Sequence, residues 1–188
     1  MSASSIRQRV VYPKSEAYSE SISSYSFPNV ALAPACVVQP QSAEDVSTAV
    51  STLVQKEGSV SWCRFAVRGG GHTVWAGAAG IEDGVTIDLS LMKDAVYHPE
   101  NKTASLLPGG RWRDVYTTLK EDGVSVTGGR TGSVGVSGFL LGGKRNSAVR
   151  IEHFLTTRQV EIPFLRHGLA LRVTIWSTTK LFLRTGPL

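Results

Sequence analysis

The sequence lacks the features that identify several large classes of protein. It contains no apolar run of about 18 residues, the length that a membrane-spanning helix needs, so we expect no membrane partner. Its first residues are polar and have no apolar segment, which argues against a secretory signal peptide and leaves the compartment unknown. Cys36 and Cys63 are the two cysteines, too few for a disulfide framework or a metal-binding spacing. We expect both to be small buried side chains, with a single bridge between them left open.

A basic surface for nucleic acid is also missing from most of the chain, although the net charge is +5. Residues 1–143 carry 12 basic and 13 acidic side chains, whereas residues 144–188 carry 8 basic and 2 acidic ones. The positive charge therefore belongs to the C-terminal part alone, and we predict no nucleic-acid partner. The phosphate-binding Walker signature and the G-x-G-x-x-G dinucleotide signature are absent as well.

The composition that remains is typical of a folded domain, with 41% apolar and 19% charged residues. Strand patterns alternate with two amphipathic helix patterns, which predicts an α/β or α+β class. The helices are expected after Ser42, where an acidic residue three positions later suggests a capping box, and from Trp112 to Leu119. The predicted strands cover residues 37–40, 65–67, 85–89, 104–107 and 124–126, and residues 1–30 are expected to form an irregular arm.

A glycine-rich turn follows the second predicted strand. It consists of Arg68, Gly69, Gly70, Gly71 and His72. Glycines in succession let the backbone adopt positive φ angles and remove the Cβ atoms that would keep a ligand away. Successive N–H groups in such a turn form a concave nest that binds anions, typically phosphate. The alternative is a flexible turn next to an incidental histidine.

A second glycine-rich stretch covers residues 128–143. Ordering such a loop costs much backbone entropy, and a bound ligand would offset that cost.

Together, five segments resemble the PCMH-type FAD-binding domain of the vanillyl-alcohol-oxidase superfamily, and in particular the berberine-bridge-enzyme-like oxidases. The segments are residues 38–46, 68–72, 86–90, 107–112 and 128–143, which occur in the order that the family has. The resemblance implies an α+β fold of two small α/β subdomains that hold FAD between them and are incomplete at the C-terminus.

The resemblance also implies which residues bind the cofactor. The first turn would take the pyrophosphate, the second would surround the flavin and the phosphates, and His72 matches the histidine that bonds to the flavin 8α carbon. Family members with a second covalent link carry a cysteine where this chain has Thr131, so at most one link is expected. No metal ligand is predicted, and no catalytic base is assigned. The implied FAD-binding residues are Arg68, Gly69, Gly70, Gly71, His72, Thr73, Pro108, Gly109, Gly128, Gly129, Thr131, Gly132, Ser133, Gly135 and Gly138.

The family pattern is lost after residue 143, so we divide the chain into an arm (1–30), a truncated FAD-binding domain (31–143) and an aberrant basic tail (144–188). Gly143 and Lys144 are encodable by a splice-donor sequence, and Gln159 by an acceptor. The interval between them is not a whole number of codons. Reading residues 160–187 in the shifted frame, with freely chosen third bases, restores a family-like pattern. We therefore predict a retained intron and a frameshift, with a poorly packed tail.

Three functions are compatible with these observations. The first is an FAD-dependent oxidoreductase of small organic substrates, with hydride transfer to flavin N5 and oxygen as acceptor. This chain would then be a fragment without the substrate domain, inactive alone. The second is a non-catalytic flavin-binding fragment or a translation product without function. The third is an interaction protein whose basic tail binds an acidic partner.

Overall fold

A computed structural model of the protein describes residues 6–27, 32–54, 63–100, 103–142 and 179–182. Within these ranges, no helix has both the length and the apolar character needed to cross a membrane. The elements form two sheets, each with its own buried apolar cluster, and the two glycine-rich segments are in contact.

The first subdomain is built on a mixed sheet with strand order β1-β2-β4-β3. Strand β2 and strand β3 both run parallel to the central strand β4, and β1 is antiparallel to β2. Its strands are β1 (Val10–Val11), β2 (Cys36–Val38), β3 (Phe65–Arg68) and β4 (Val85–Asp88). Because β2 and β3 both pair with β4, the C-terminal ends of three strands lie along one edge. The first glycine turn leaves β3 at that edge.

One helix covers this sheet. Helix α2 (Ala43–Val54) begins after Ser42, whose Oγ accepts a hydrogen bond from the Asp45 N–H at 3.1 Å. The Asp45 carboxylate in turn accepts from the Gln41 N–H at 3.0 Å, so the predicted capping interaction is present. Val46 and Ala49 are buried against the sheet, as the spacing of apolar residues predicts.

The second subdomain has an antiparallel sheet with strand order β5-β6-β7. Its strands are β5 (Ala95–His98), β6 (Thr103–Leu106) and β7 (Thr179–Phe182), and a 3-10 helix (Leu89–Leu91) connects it to β4. Helix α3 (Trp112–Glu121) places Trp112, Val115 and Leu119 in its core, and helix α4 (Val136–Leu141) packs beside it through Val136. The burial of these apolar side chains is the main stabilising contribution.

The structure confirms the α+β class, both predicted helices and four of the five predicted strands. The prediction for residues 124–126 is wrong: Val126 is buried but pairs with no strand in the described part of the chain. The short strand β5 was not predicted. Helix α4 lies inside the stretch that was interpreted as a loop, because its short apolar run follows directly on the glycines.

The N-terminal segment is not an irregular arm. It contains β1 and helix α1 (Glu16–Ser23), whose first turn is capped by Ser15 Oγ. Helix α1 has a weak apolar pattern, and it is held by polar contacts of Ser21 that only the folded chain brings together.

The two cysteines also differ from expectation. Both are free, and Cys36 is half-buried, whereas Cys63 is exposed because it precedes the start of β3. The prediction that both are buried is therefore wrong.

The predicted tail lies largely outside the described residues. Within it the structure describes strand β7, which pairs antiparallel with β6 in the register Thr103↔Phe182 to Leu106↔Thr179. The boundary at residue 143 remains a prediction.

Candidate functional site

The two glycine-rich segments are in direct contact in the folded chain. We call residues 69–73 the first glycine turn and residues 128–135 the second glycine turn. A Cβ atom built on Gly70 would lie 2.5 Å from the Gly135 nitrogen and closer still to its Cα, a distance that real Cβ atoms do not show. A Cβ atom on Gly69 would instead overlap the side-chain hydroxyl of Ser137 at the start of α4. The glycines therefore allow the two backbones to approach more closely than any side chain would permit.

The first glycine turn carries a row of unused main-chain donors. Gly71 has a φ of +61°, a conformation that favours glycine, and its carbonyl accepts from the Ser26 N–H at 3.1 Å. Within the described part of the chain, the N–H groups of Gly70, Gly71 and His72 donate no hydrogen bond. Gly70 and Gly71 are nevertheless buried. Buried donors without an acceptor are uncommon, so this row is suited to an anionic ligand.

His72, in the first glycine turn, faces the second glycine turn. Its Nε2 is 3.1 Å from Ser133 Oγ in the second glycine turn, and the ring of Phe27 stands edge-on at 5.7 Å between centroids. The imidazole is partly buried. One predicted residue of each turn is thus joined to the other by a hydrogen bond.

The Arg68 side chain lies beneath the first glycine turn rather than in it. It is 1% exposed and forms an ion pair with Asp88, which is 0% exposed, at the end of β4. Its guanidinium also donates to Ser21 of α1 and stacks on the Tyr25 ring at 4.6 Å. Burial raises the pKa of the Tyr25 phenol, whose hydroxyl donates to the Ala79 carbonyl at 2.7 Å. Arg68 therefore supports the turn from inside, and its side chain is fully occupied.

The start of the second glycine turn packs on an aromatic core residue. Cβ atoms on Gly128 or Gly129 would overlap the Trp112 indole, which explains why glycine is needed at both positions. The Tyr116 hydroxyl donates to the Gly129 carbonyl at 3.0 Å, and burial raises the pKa of this phenol.

The remaining residues of this stretch are more open. Thr131 is exposed, and its carbonyl accepts from the Val134 N–H at 3.1 Å. Gly132 packs against Arg113, whereas Gly138 has no atom within 4 Å of an added Cβ. Thr73 caps the local turn by accepting from the Trp75 N–H at 3.1 Å.

The segment with Pro108 and Gly109 connects the two subdomains. The Gly109 N–H donates to the Met92 carbonyl at 2.9 Å, and a Cβ at Gly109 would overlap the Leu89 carbonyl. Pro108 contributes a carbonyl oxygen that lies 3.6 Å from a Cβ position on Gly69. This segment therefore packs against the first glycine turn at the junction between the two subdomains.

A cleft of about 240 Å³ opens beside this junction. Gly69 and Gly109 line it, together with the cationic Lys93 and Arg111 and the acidic Glu20 and Asp114. None of these four charged residues was predicted for the site. Arg111 donates to the carbonyls of Ser133 and of Ser24, the latter at 3.2 Å, and so links the second glycine turn to the end of α1. Its position within the Pro-Gly-Gly-Arg-Trp segment at residues 108–112 is the signal that could have identified it.

The described residues hold no cluster of three or more His, Cys, Asp or Glu side chains that could bind a metal ion. The site consists of backbone donors, one histidine and an adjacent cleft lined by two cationic and two acidic side chains. This combination can hold a diphosphate and place a nitrogen nucleophile next to it.

Comparisons with known proteins identify the family of the chain. A family model described as an FAD binding domain matches residues 34–161. An FAD-dependent monooxygenase of Emericella nidulans is 52% identical over 143 residues, which are 76% of this chain and 29% of that protein. Another, of Cercospora beticola, is 41% identical over 136 residues, which are 70% of this chain and 25% of that protein. The chain thus spans less than a third of the curated relatives it matches.

Solved structures show the same fold. A BBE-like protein of Physcomitrella patens is 28% identical with a TM-score of 0.60, over 71% of this chain and 28% of that one. Aclacinomycin oxidoreductase is 26% identical with a TM-score of 0.59, over 71% of this chain and 27% of that one. A glucooligosaccharide oxidase of Acremonium strictum, described with a cysteinyl and histidyl FAD, is 24% identical with a TM-score of 0.60 and shows the shared fold alone. That likeness covers 71% of this chain and 27% of that one.

Proposed function

The chain belongs to the FAD binding domain family, and we propose that it is the flavin-binding part of an FAD-dependent oxidoreductase that acts on small organic molecules. Its fold is of the PCMH type, as the solved structures with the same architecture indicate. The relatives named as FAD-dependent monooxygenases support both the cofactor and a reaction that uses oxygen.

The observation that carries this proposal is the contact between Gly70 and Gly135, because it brings two distant glycine turns to one site. Next to that contact lie the N–H groups of Gly70, Gly71 and His72, which have no acceptor in the described part of the chain. A dinucleotide diphosphate supplies acceptors of the right charge for such a row. The residues present therefore fit FAD.

We assign roles to the residues of the site on this basis. The N–H row of the first glycine turn binds the diphosphate. In the adjacent cleft the charges of Lys93 and Arg111 are balanced by those of Glu20 and Asp114, so the backbone donors carry the assignment. Arg68 acts through its buried ion pair with Asp88, which fixes the end of β3 where the turn begins. Gly128 and Gly129 leave room for the Trp112 indole, and this packing sets the shape of the second glycine turn. Their contribution to FAD binding is therefore indirect. Thr131, Gly132, Ser133 and Gly138 remain proposed cofactor contacts.

His72 is the proposed site of covalent attachment to the flavin. A neutral imidazole nitrogen is a nucleophile near pH 7, which the reaction at the flavin methyl group requires. Bound FAD would supply the hydride acceptor, and dioxygen would be the final oxidant. The part of the protein that binds substrate and supplies a catalytic base is proposed to lie outside this chain, since the chain covers 29% of the Emericella nidulans relative.

Reconstitution of the purified chain with FAD tests the proposal. We expect flavin absorbance to remain with the protein through gel filtration, and part of it to remain after acid precipitation. Substitution His72→Ala should remove the acid-stable part and leave reversible binding. A wild-type chain that stays colourless in excess FAD would contradict the proposed function and favour a fragment without cofactor.

A further inference from the structure

The hydrogen bond between Ser133 and His72 has a consequence for the chemistry of the histidine. We infer that Ser133 is a positioning residue for covalent flavin attachment, holding the His72 ring so that Nδ1 is the attacking nitrogen. This inference rests on the proposed function, because it concerns the same site and the same cofactor.

The first argument is the distance. His72 Nε2 lies 3.1 Å from Ser133 Oγ, within hydrogen-bond range, whereas Nδ1 has no hydrogen-bond partner among the described residues. In a neutral imidazole one nitrogen carries the proton and the other carries the lone pair. When Ser133 Oγ accepts the Nε2 proton, the lone pair is on Nδ1. The hydrogen bond made by one ring nitrogen therefore decides whether the other nitrogen carries the nucleophilic lone pair.

The second argument is that Ser133 itself is held in place. Its carbonyl accepts a hydrogen bond from the Arg111 guanidinium, and the backbone of the second glycine turn is locked against the first by Gly135 and Gly70. Phe27 contacts the imidazole edge-on at 5.7 Å and restricts rotation of the ring. Ser133, Phe27 and the packed glycine backbones therefore fix the orientation of His72, and among the described residues only Ser133 makes a hydrogen bond to the ring.

The step that Ser133 supports balances in atoms and electrons. A bond forms between His72 Nδ1 and the flavin 8α carbon, one C–H bond of that methyl group breaks, and the Nε2 proton is released. Bound FAD would accept the two electrons and two protons, and dioxygen would then remove them as hydrogen peroxide. Ser133 Oγ is the group next to Nε2 until its proton leaves.

Three variants of the full chain test this inference, with covalent flavin measured as colour retained after acid precipitation over time. At saturating FAD, where a change in affinity no longer limits the rate, we expect Ser133→Ala to form the covalent bond about tenfold or more slowly than the wild type. Ser133→Thr keeps the hydroxyl and should restore the rate. Ser105→Ala is the matched control, because it removes an equivalent hydrogen bond of 2.8 Å to His98 Nε2 outside the site.

The outcomes separate the inference from the proposed function. Equal rates in wild type and Ser133→Ala overturn the role of Ser133, while the covalent link itself stands. A Ser133→Ala variant that loses stability together with the rate also overturns it, since Ser133 would then be structural. A wild-type chain with no acid-stable flavin overturns the covalent attachment at His72, on which the inference depends.

Discussion

Gly70 and Gly135 pack backbone against backbone, although strands β4, β5 and β6 and helix α3 separate them along the chain. A Cβ on either glycine would fall within 2.6 Å of the other residue. The two turns can approach each other only because both residues lack side chains. This contact places His72 and Ser133 at hydrogen-bond distance.

Substitution Gly70→Ala should therefore disrupt the site. The added methyl group meets backbone, which cannot move aside as a flexible side chain would, so we expect a loss of about 3 kcal/mol in the free energy of unfolding. Urea unfolding measures the loss of stability, and FAD titration measures the loss of cofactor affinity that follows from the disrupted site.

Gly138→Ala is the control for that variant. It has nothing within 4 Å of the new Cβ and lies in helix α4, so it should be neutral or stabilise by up to about 1 kcal/mol. A Gly70→Ala chain as stable as Gly138→Ala would contradict the backbone contact. Loss of FAD affinity in a stable Gly138→Ala chain would identify Gly138 as a cofactor contact.

Removal of the buried carboxylate of Asp88 should be costly. Asp88→Asn leaves the Arg68 guanidinium, which is 1% exposed, without its counter-ion, and we expect a loss of about 3 kcal/mol or more. The exposed Glu121→Gln should change stability by about 0.5 kcal/mol or less. Chemical unfolding of both variants is the measurement, and similar values for the two would refute a structural ion pair.

Alkaline pH should destabilise the chain partly through Tyr25. Burial raises the pKa of this phenol above the ordinary value of 10.0, so the folded state keeps the proton that the unfolded state has already lost. The stabilisation is fully present below that ordinary value and is lost as the pH rises through the folded pKa.

Urea midpoints from about pH 9 to pH 11 measure this dependence. Tyr25→Phe should reduce the slope, whereas Tyr12→Phe, at a side chain that is 62% exposed, should leave it unchanged. Equal slopes in the two variants would exclude Tyr25 as a source.

The two cysteines should react at different rates. Burial raises the pKa of the Cys36 thiol, so less thiolate is present near pH 8, and the side chain is also half-covered. Cys63 is exposed, and we expect iodoacetamide to modify it first. Peptide mass spectrometry of the native chain over time identifies the order, and faster labelling of Cys36 would contradict the structure.

The boundary at residue 143 is tested at the level of RNA. We predict that a spliced transcript joins the codons before Lys144 to those after Gln159 in the other reading frame. Sequencing of the messenger across this interval measures it. A single unspliced species, with the frame as given, would reject the retained intron and leave residues 144–188 as a genuine segment.

The fold could be predicted where periodicity and local chemistry act alone. The spacing of Val46 and Ala49 and the Ser42–Asp45 pair predicted helix α2, because a helix buries one face and caps its own first turn. Helix α1 was missed because its stability depends on Ser21 meeting Arg68 and Asp88, residues far away in the chain. Arg68 was predicted to bind the cofactor, but its neighbours in sequence do not reveal that Asp88 pairs with it inside the protein.

The sequence alone identified the two glycine-rich segments, the nucleophilic histidine and the family to which they are similar. These features depend on residue type and local spacing. Folding decided that the segments touch, that Ser133 faces His72 and that Trp112 occupies the space left by Gly128 and Gly129. Such contacts join residues that are far apart in the sequence. They exist only after the two sheets have brought distant parts of the chain together, which no local pattern encodes.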